Sequence, residues 1–320
     1  MLEIAVSAAT HEPVLLAELL ELLQPRPGGT YVDGTLGGAG DAEALLERST
    51  PGGRLLGLDL DPEALERAKE RLQRFDDRVV LVHDSFADLE RVVRWNGFAP
   101  ADGIVLDLGL SSFQLAHPER GFSFRTTAPL DMRFNPLQAA PTARELVNTL
   151  GSAELVDLLR RYGEEPMAKR IAGAIIQRRQ RQPIETTTEL AEIVEGAVGH
   201  RRGKIHPATR TFQALRIAVN RELEALEAAL PQAIEVLAPY GRLAVISFHS
   251  LEDRIVKRFF VEQAASCICP PGLPVCVCGH QPCVTLLTRH ATRPTPEEVA
   301  RNPRARSAIL RAVEKLPVPA

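Results

Sequence analysis

The chain has 320 residues, 45% of them hydrophobic and 25% charged, which is the composition of a globular protein with room for one large domain or two ordinary ones. No apolar run approaches the roughly 20 residues of a membrane span, and no basic segment followed by an apolar core opens the chain, so a cytoplasmic location without a membrane partner is expected. The formal net charge of -3 gives no global sign of a nucleic-acid binder, and five cysteines packed between positions 267 and 283 do not make a secreted disulfide scaffold.

Residues 30–33 are predicted as the first strand. It ends in Asp33, which is followed by Gly34, Gly37, Gly38 and Gly40 and then by a helical pattern over 41–48. Such a turn presents a helix N-terminus to a ligand, and in dinucleotide sites that ligand is a pyrophosphate. A carboxylate at Asp33 repels a pyrophosphate. It suits S-adenosylmethionine, which has no phosphate and carries an ammonium. Residues 54–59 form a second strand, a near-continuous apolar run of the kind covered on both faces. Asp59 ends it, placed to accept hydrogen bonds from ribose hydroxyls. Asp61 is the better cap for the helix that Pro62 opens over 63–75. NAD also calls for an acid after the second strand. From Gly38, however, the chain reads Gly-Ala-Gly-Asp-Ala-Glu, without the third small residue of the dinucleotide fingerprint.

Residues 79–83 form a third strand, leading to His83-Asp84-Ser85-Phe86. Phe86 is placed either against an adenine or in the core. The fourth strand, 103–108, runs into Asp107-Leu108-Gly109-Leu110-Ser111-Ser112. Ligands of open α/β sheets lie at the carboxyl ends of strands, so Asp107, Ser111 and Ser112 are expected to face the methyl donor. Amino-methylating enzymes commonly carry an acid or amide followed by two prolines and an aromatic at this place. Asp107 fits that pattern and the prolines are absent.

The βα alternation predicts a parallel sheet. It stops at about residue 113. Helices are predicted over 152–163, behind Ser152 as cap, and after a capping box of Thr186 and Glu189. A long helical pattern over 209–229 leads back to strands at 243–248 and 284–288. The expectation is a discontinuous sheet domain, 1–113 and 212–320, interrupted by a helical insertion, 114–211. Residues 160–221 carry 13 Lys/Arg and 6 Glu, a charge of +7, which leaves -10 for the rest of the chain. That asymmetry is the footprint of a phosphate-rich partner, or else a solvated arginine-rich surface. Arg178, Arg179, Arg181, Arg201, Arg202, Lys204 and Arg210 are the candidate contacts.

Several long segments are more specific. They are His11-Glu12-Pro13-Val14-Leu15-Leu16, Asp33-Gly34-Thr35, Leu58-Asp59-Leu60-Asp61-Pro62, and Leu106 to Ser112 with Gln114-Leu115. Further on come Arg120-Gly121-Phe122-Ser123-Phe124, Pro129-Leu130-Asp131-Met132-Arg133, His206 to Arg216, and Ser247 to Arg254. In these segments the chain resembles the MraW family of bacterial 16S ribosomal RNA cytosine-N4 methyltransferases. The resemblance implies a class I S-adenosylmethionine-dependent methyltransferase fold, α/β and Rossmann-like with a mostly parallel sheet, carrying an inserted helical substrate-recognition domain. It implies donor contacts from Ala39, Gly40, Asp41, Asp59, Phe86, Asp107 and Gln114, which join Asp33, Gly37 and Gly38 of the strand end and glycine turn as the expected cofactor-binding residues. The family's loop usually reads Gly-Gly-His-Ser where this chain has Ala39-Gly40-Asp41-Ala42. The implied partner is 16S rRNA in the small ribosomal subunit, with the choice between monomer and homodimer left open. A donor-binding assembly factor without turnover, or an amino-methyltransferase of another nucleic acid, are the alternatives.

The sulfonium methyl group is already activated, so no metal or covalent intermediate is called for. The protein must align nitrogen, carbon and sulfur and accept hydrogen bonds from the amino protons. Asp107 or a backbone carbonyl of 107–112 is the first candidate for that role, and Ser111, Ser112 and His249 are the others. His11 and His206 either shape the RNA site or make ordinary structural hydrogen bonds. Asp131 and Arg133 read equally as an ion-pair corner or a substrate contact. In the cysteine cluster one residue separates each pair, whereas zinc ligands are usually separated by two or more. Reduced thiols in a Pro/Gly-rich loop are therefore the expectation, with no metal among the site residues.

Overall fold

The computed structural model describes residues 13–199, 206–270 and 275–317. The chain divides into two compact units, Met1–Gly109 with Glu224–Ala320, and Leu110–Leu223.

The first unit is built on seven strands. They are β1 (Thr30–Asp33), β2 (Arg54–Asp59), β3 (Val79–His83), β4 (Ala101–Asp107), β5 (Leu237–Ser247), β6 (Val284–Leu286) and β7 (Ile309–Lys315). Their order in the sheet is β3-β2-β1-β4-β5-β7-β6. All pairings from β3 to β5 are parallel, while β7 runs antiparallel to both of its neighbours. Successive strand side chains point to opposite faces. Val32, Leu56, Ile104, Leu106 and Val245 accordingly join one core cluster, while Tyr31, Leu55, Val105, Ala244 and Ile246 join another. Both faces are covered, which is why these strands read as apolar runs rather than alternating ones. This is a mostly parallel, Rossmann-like α/β sheet.

Parallel pairing brings the carboxyl ends of β1, β2 and β4 to one edge. Asp33 pairs with Gly57 and Val105, Asp59 with His83, and Asp107 with Ile246. The three strand-terminal aspartates therefore come from adjacent or near-adjacent strands at the edge where such sheets bind ligands.

Several elements differ from the sequence expectation. β4 begins at Ala101 and β5 at Leu237, and β6 stops at Leu286. β7 was not expected at all. Its sequence, Ile-Leu-Arg-Ala-Val-Glu-Lys, places Arg311 in the middle of a strand, yet that side chain is buried. Its charge is met by Asp253, with Nε–Oδ1 at 2.6 Å and Nη2–Oδ2 at 3.2 Å. The pattern read as one helix over 209–229 is two, Thr209–Asn220 and Glu222–Val236, parted at Arg221 in the left-handed region (φ 52°).

The second unit contains helices Ala143–Thr149, Ser152–Gly163, Ala168–Arg179, Thr187–Val198 and Thr209–Asn220, packed about Leu155, Leu159, Ile171, Leu190 and Phe212. Thr186 and Glu189 form the expected capping box. Ser152 is the first helical residue rather than the cap, and Gly151 donates its N–H to Glu154 at 2.7 Å. Among the described residues no helix is long and apolar enough to cross a membrane.

Candidate functional site

The glycine-rich segment after β1 is held by its own backbone and by the neighbouring strand ends. Gly34 N–H donates to Val105 O at 3.0 Å and Leu36 N–H to Leu58 O at 2.9 Å. Thr35 links β1 to β4: its N–H donates to Asp33 Oδ1 at 3.0 Å, and its hydroxyl oxygen accepts from Asp107 N–H at 2.6 Å. Gly37 adopts φ 48°, and its N–H donates to Asp59 Oδ2 at 2.8 Å. Arg71 closes the far side, donating to Gly38 O at 2.8 Å and to Glu43 at 2.7 Å. Gly40 opens the helix Gly40–Arg48 against the ring of Pro13, which leaves no room for a Cβ. Ala39 sits at φ 55°, where a Cβ is strained and glycine is favoured.

Four aspartates converge on this loop. Asp33 and Asp41 are buried, whereas Asp59 and Asp107 keep a partial opening to solvent. Burial pushes the Asp33 carboxyl well above its ordinary value, helped by the charges of Asp41 and Asp59. Burial likewise lifts Asp41 to about 7 against the pull of Arg71. It lifts Asp59 to about 6 against hydrogen bonds from the N–H groups of Asp61 and Gly37. Asp107 is raised well above the carboxylate range by burial and by the charges of Asp41, Asp33 and Glu252. Oδ1 of Asp41 and Oδ1 of Asp107 are buried without a hydrogen-bond partner. Buried carboxylate oxygens without donors are costly, so the cluster is a place for a cation and for hydroxyl or amino donors. It is the wrong place for a pyrophosphate.

Phe86 is half-buried beside this loop, near Gly34, and packs against the core of the first unit. Both sequence readings of it are therefore compatible with its position. His249 caps the helix Ser250–Ala264, with Nδ1 accepting from Glu252 N–H at 3.4 Å and Nε2 3.1 Å from Glu252 Oε1. Gly109, at φ 96°, lies against the ring of Phe248.

In the second unit Ser111 caps the helix Ser112–Ala116. Its Oγ accepts from Gln114 N–H at 3.2 Å, and Gln114 Oε1 accepts from Ser111 N–H at 3.0 Å. The two side chains are thus reciprocal caps, and Ser112 is the first helical residue. Asp131 and Arg133 form a two-pronged ion pair of 2.8 and 2.7 Å. Asn220 pins the same corner, accepting from Phe134 N–H and donating to Met132 O, both at 2.7 Å. His206 stacks on Phe124 at 4.4 Å between ring centroids.

Of the basic candidates, Arg179 donates to the carbonyls of Val147 and Leu150, both at 2.7 Å, and so ties down the end of the helix Ala143–Thr149. Arg178 pairs with Glu189 at 3.3 Å. Arg181 and Arg210 are exposed. Arg201, Arg202, Lys204 and His11 lie outside the described residues. Arg178 and Arg181 line a groove of about 550 Å³ between the helices Ala168–Arg179 and Thr187–Val198, joined there by Arg170, with Gly196 and Ala197 on its wall. Arg170 was not singled out from sequence, although positions 170, 174, 177, 178 and 181 share one helical face. Arg71, Thr35 and Glu252 were missed as well. They act through the backbone and the electrostatics of the loop, and no sequence spacing marks such contacts.

The fold, the strand-end carboxylates and the glycine loop together define an S-adenosylmethionine-dependent methyltransferase. The profile of the MraW methylase family matches residues 8–316, and the chain belongs to that family. It is 56% identical to the ribosomal RNA small subunit methyltransferase H of Thermomicrobium roseum over 309 residues, which is 97% of this chain and 94% of the relative. The enzyme of the same name from Heliobacterium modesticaldum is 54% identical, covering 96% and 98%. Among solved structures, an rRNA methylase from Streptococcus thermophilus aligns over 96% of this chain and 98% of its own, with a TM-score of 0.42 and 13% identity. S-adenosylmethionine is the cofactor, and the residues fit it. The unpartnered Oδ1 atoms of Asp41 and Asp107 and the raised carboxyls of the cluster suit a ligand bearing an ammonium, a sulfonium and ribose hydroxyls.

Proposed function

We propose that the protein transfers the methyl group of S-adenosylmethionine to the exocyclic N4 of a cytidine in the decoding centre of 16S ribosomal RNA. The relatives named for ribosomal RNA of the small subunit match nearly end to end, and the helical unit supplies a basic groove. One observation carries the chemistry: Asp107 ends β4 with a buried, unpartnered Oδ1.

The bound cofactor supplies an electrophilic methyl group. The difficulty lies with the acceptor, because the cytosine amino lone pair is delocalised into the ring. Asp107 Oδ1 accepts a hydrogen bond from the amino group and draws electron density back onto nitrogen. With the positive charge of the cofactor beside it Asp107 would be ionised, and its tendency toward a raised pKa would then suit it to take up the amino proton as the methyl group is transferred. Asp59 is assigned to the ribose hydroxyls and Asp41 and Asp33 to the cationic end of the cofactor, while Gly37 to Gly40 bring the backbone close. Ser111, Gln114 and His249 are assigned to positioning the two strand-end segments.

The base must leave its stack to reach Asp107. The helical unit serves recognition, with Arg170, Arg178 and Arg181 along the backbone of the RNA and Arg210 as a further contact. A shaped recognition unit with a modest charge excess suits the assembled small subunit rather than naked RNA, and such an enzyme works in the cytoplasm. Incubation with methyl-labelled cofactor and small subunits lacking the modification tests the proposal. Label entering 16S RNA is the expected result. Binding without label in RNA would instead indicate an assembly factor.

A further inference from the structure

The segment between the helix Ser250–Ala264 and β6 carries chemistry that the donor site does not use. Four sulfurs meet there. Cys276 Sγ lies 3.4 Å from Cys267, 3.9 Å from Cys269 and 3.5 Å from Cys278, and Cys278 lies 3.8 Å from Cys267. All four are within 4.8 Å of one another, and all are free thiols. Four thiolates at about 2.3 Å around one tetrahedral ion are spaced roughly 3.8 Å apart. The observed separations match that edge length and are far from the roughly 2.05 Å of a disulfide.

We propose that Cys267, Cys269, Cys276 and Cys278 bind a single zinc ion through four thiolates. The one-residue spacer that argued against zinc in the sequence is explained by the directions of the side chains. Cys269 and Cys278 lie at bends of the chain, and within the first pair Cys269 N–H turns back onto Cys267 Sγ. Ile268 and Val277, the spacers, are 46% and 78% exposed while the sulfurs they separate turn toward one another. Two such Cys-x-Cys pairs facing each other supply four ligands with a one-residue spacer in each.

The surroundings agree. Cys269 N–H is aimed at Cys267 Sγ and Val277 N–H at Cys269 Sγ, each at 3.4 Å, the kind of donor contact that orients metal ligands. Cys283 is not part of the cluster: its thiol donates to Gln263 Oε1 at 3.2 Å. Among the described residues of the segment, Ile268, Val275 and Val277 are exposed, so their apolar side chains do not hold it together by burial. A metal that binds only the gathered state would do so. Soft thiolates select zinc or iron over the hard cations.

The full chain, purified under reducing conditions without chelator, gives the test by elemental analysis and thiol titration. One zinc per chain is expected, with four thiols protected at least tenfold in modification rate until a chelator is added. Cys267→Ser and Cys276→Ser should each lose the zinc, and Cys283→Ser should keep it. Cobalt in place of zinc should show thiolate charge-transfer and tetrahedral ligand-field bands. A metal-free protein whose four thiols react at the rate of free cysteine would overturn the proposal. So would iron in place of zinc, or a pair of disulfides found by mass spectrometry.

Discussion

Gly37 N–H donates to Asp59 Oδ2 at 2.8 Å, while Oδ1 of the same carboxylate accepts from Asp61 N–H at 2.8 Å. One side chain thus joins the loop after β1 to the turn after β2 and holds a carboxylate at the junction, where the ribose hydroxyls are proposed to bind. Asp59→Asn removes the charge and one of two acceptor atoms. Hydrogen bonds to charged groups are worth about 1.5–3 kcal/mol, so cofactor affinity should fall by roughly 10- to 100-fold. Calorimetric titration with S-adenosylhomocysteine reads this directly.

Proton linkage gives a second prediction. Asp41 at about 7 and Asp59 at about 6 are raised above an ordinary aspartate. In the cofactor-free protein the folded state holds protons that the unfolded chain has released. The stability associated with these groups is fully present below about pH 4 and is lost as pH rises through 6 to 7. Cofactor binding has the opposite sign, because an ammonium and hydroxyl donors prefer ionised carboxylates. Affinity should therefore rise between pH 5.5 and 7.5, and Asp41→Asn should remove the upper inflection. Parallel pH series of thermal unfolding and cofactor titration check both halves.

Ala39 occupies a left-handed conformation with its methyl group buried. Ala39→Gly relieves about 1–2 kcal/mol of backbone strain and gives up a buried methyl of about 0.8 kcal/mol, together with some unfolded-state entropy. The net change in stability should stay within about 1 kcal/mol, with cofactor binding retained. Ala39→Val adds a branched side chain at the same φ and should cost roughly 2 kcal/mol or more. Urea unfolding distinguishes the two.

Arg311 and Asp253 form a largely buried pair, with side chains 11% and 19% exposed. Asp253→Ala leaves a stranded guanidinium and should cost about 3 kcal/mol. The double change Asp253→Leu with Arg311→Met should cost less than the single one. Equilibrium unfolding of the three proteins gives the comparison.

If the groove of the helical unit follows an RNA backbone, Arg170→Ala and Arg181→Ala should weaken RNA binding irrespective of sequence. Each should lower the slope of log affinity against log salt by about 0.7–0.9. Filter binding across a salt series measures the slope. Arg179→Ala should instead lower stability, since Arg179 holds the carbonyls of Val147 and Leu150.

The parallel half of the sheet was legible because covered strands are apolar runs, each closed by an acid or a turn. Asp33, Asp59 and Asp107 could be placed from sequence for that reason: a strand end in a parallel sheet has one direction to face. β7 was not legible, because Arg311 breaks its pattern and the compensating Asp253 is 58 residues away. The break at Arg221 was hidden too, since Asn220 ends its helix through contacts with Met132 and Phe134 that no local signal announces. The glycine-rich segment after β1 was legible as a turn before a helix, but its geometry depends on Thr35 and Arg71, whose contacts reach β4 and the loop from distant positions. The cysteine spacing spoke against a metal, whereas the gathering of four sulfurs within 4.8 Å is visible only in three dimensions.

Asp107 and its neighbouring carboxylates are proposed to serve a methyl transfer to an exocyclic cytosine nitrogen. Small subunits lacking the modification, treated with the protein and methyl-labelled cofactor, can be digested to nucleosides and resolved by mass spectrometry. Label is expected in N4-methylcytidine with the wild-type chain, with at least a hundredfold slower single turnover in Asp107→Ala. Label on another base or atom, or a near-normal single-turnover rate in Asp107→Ala, would contradict the proposal.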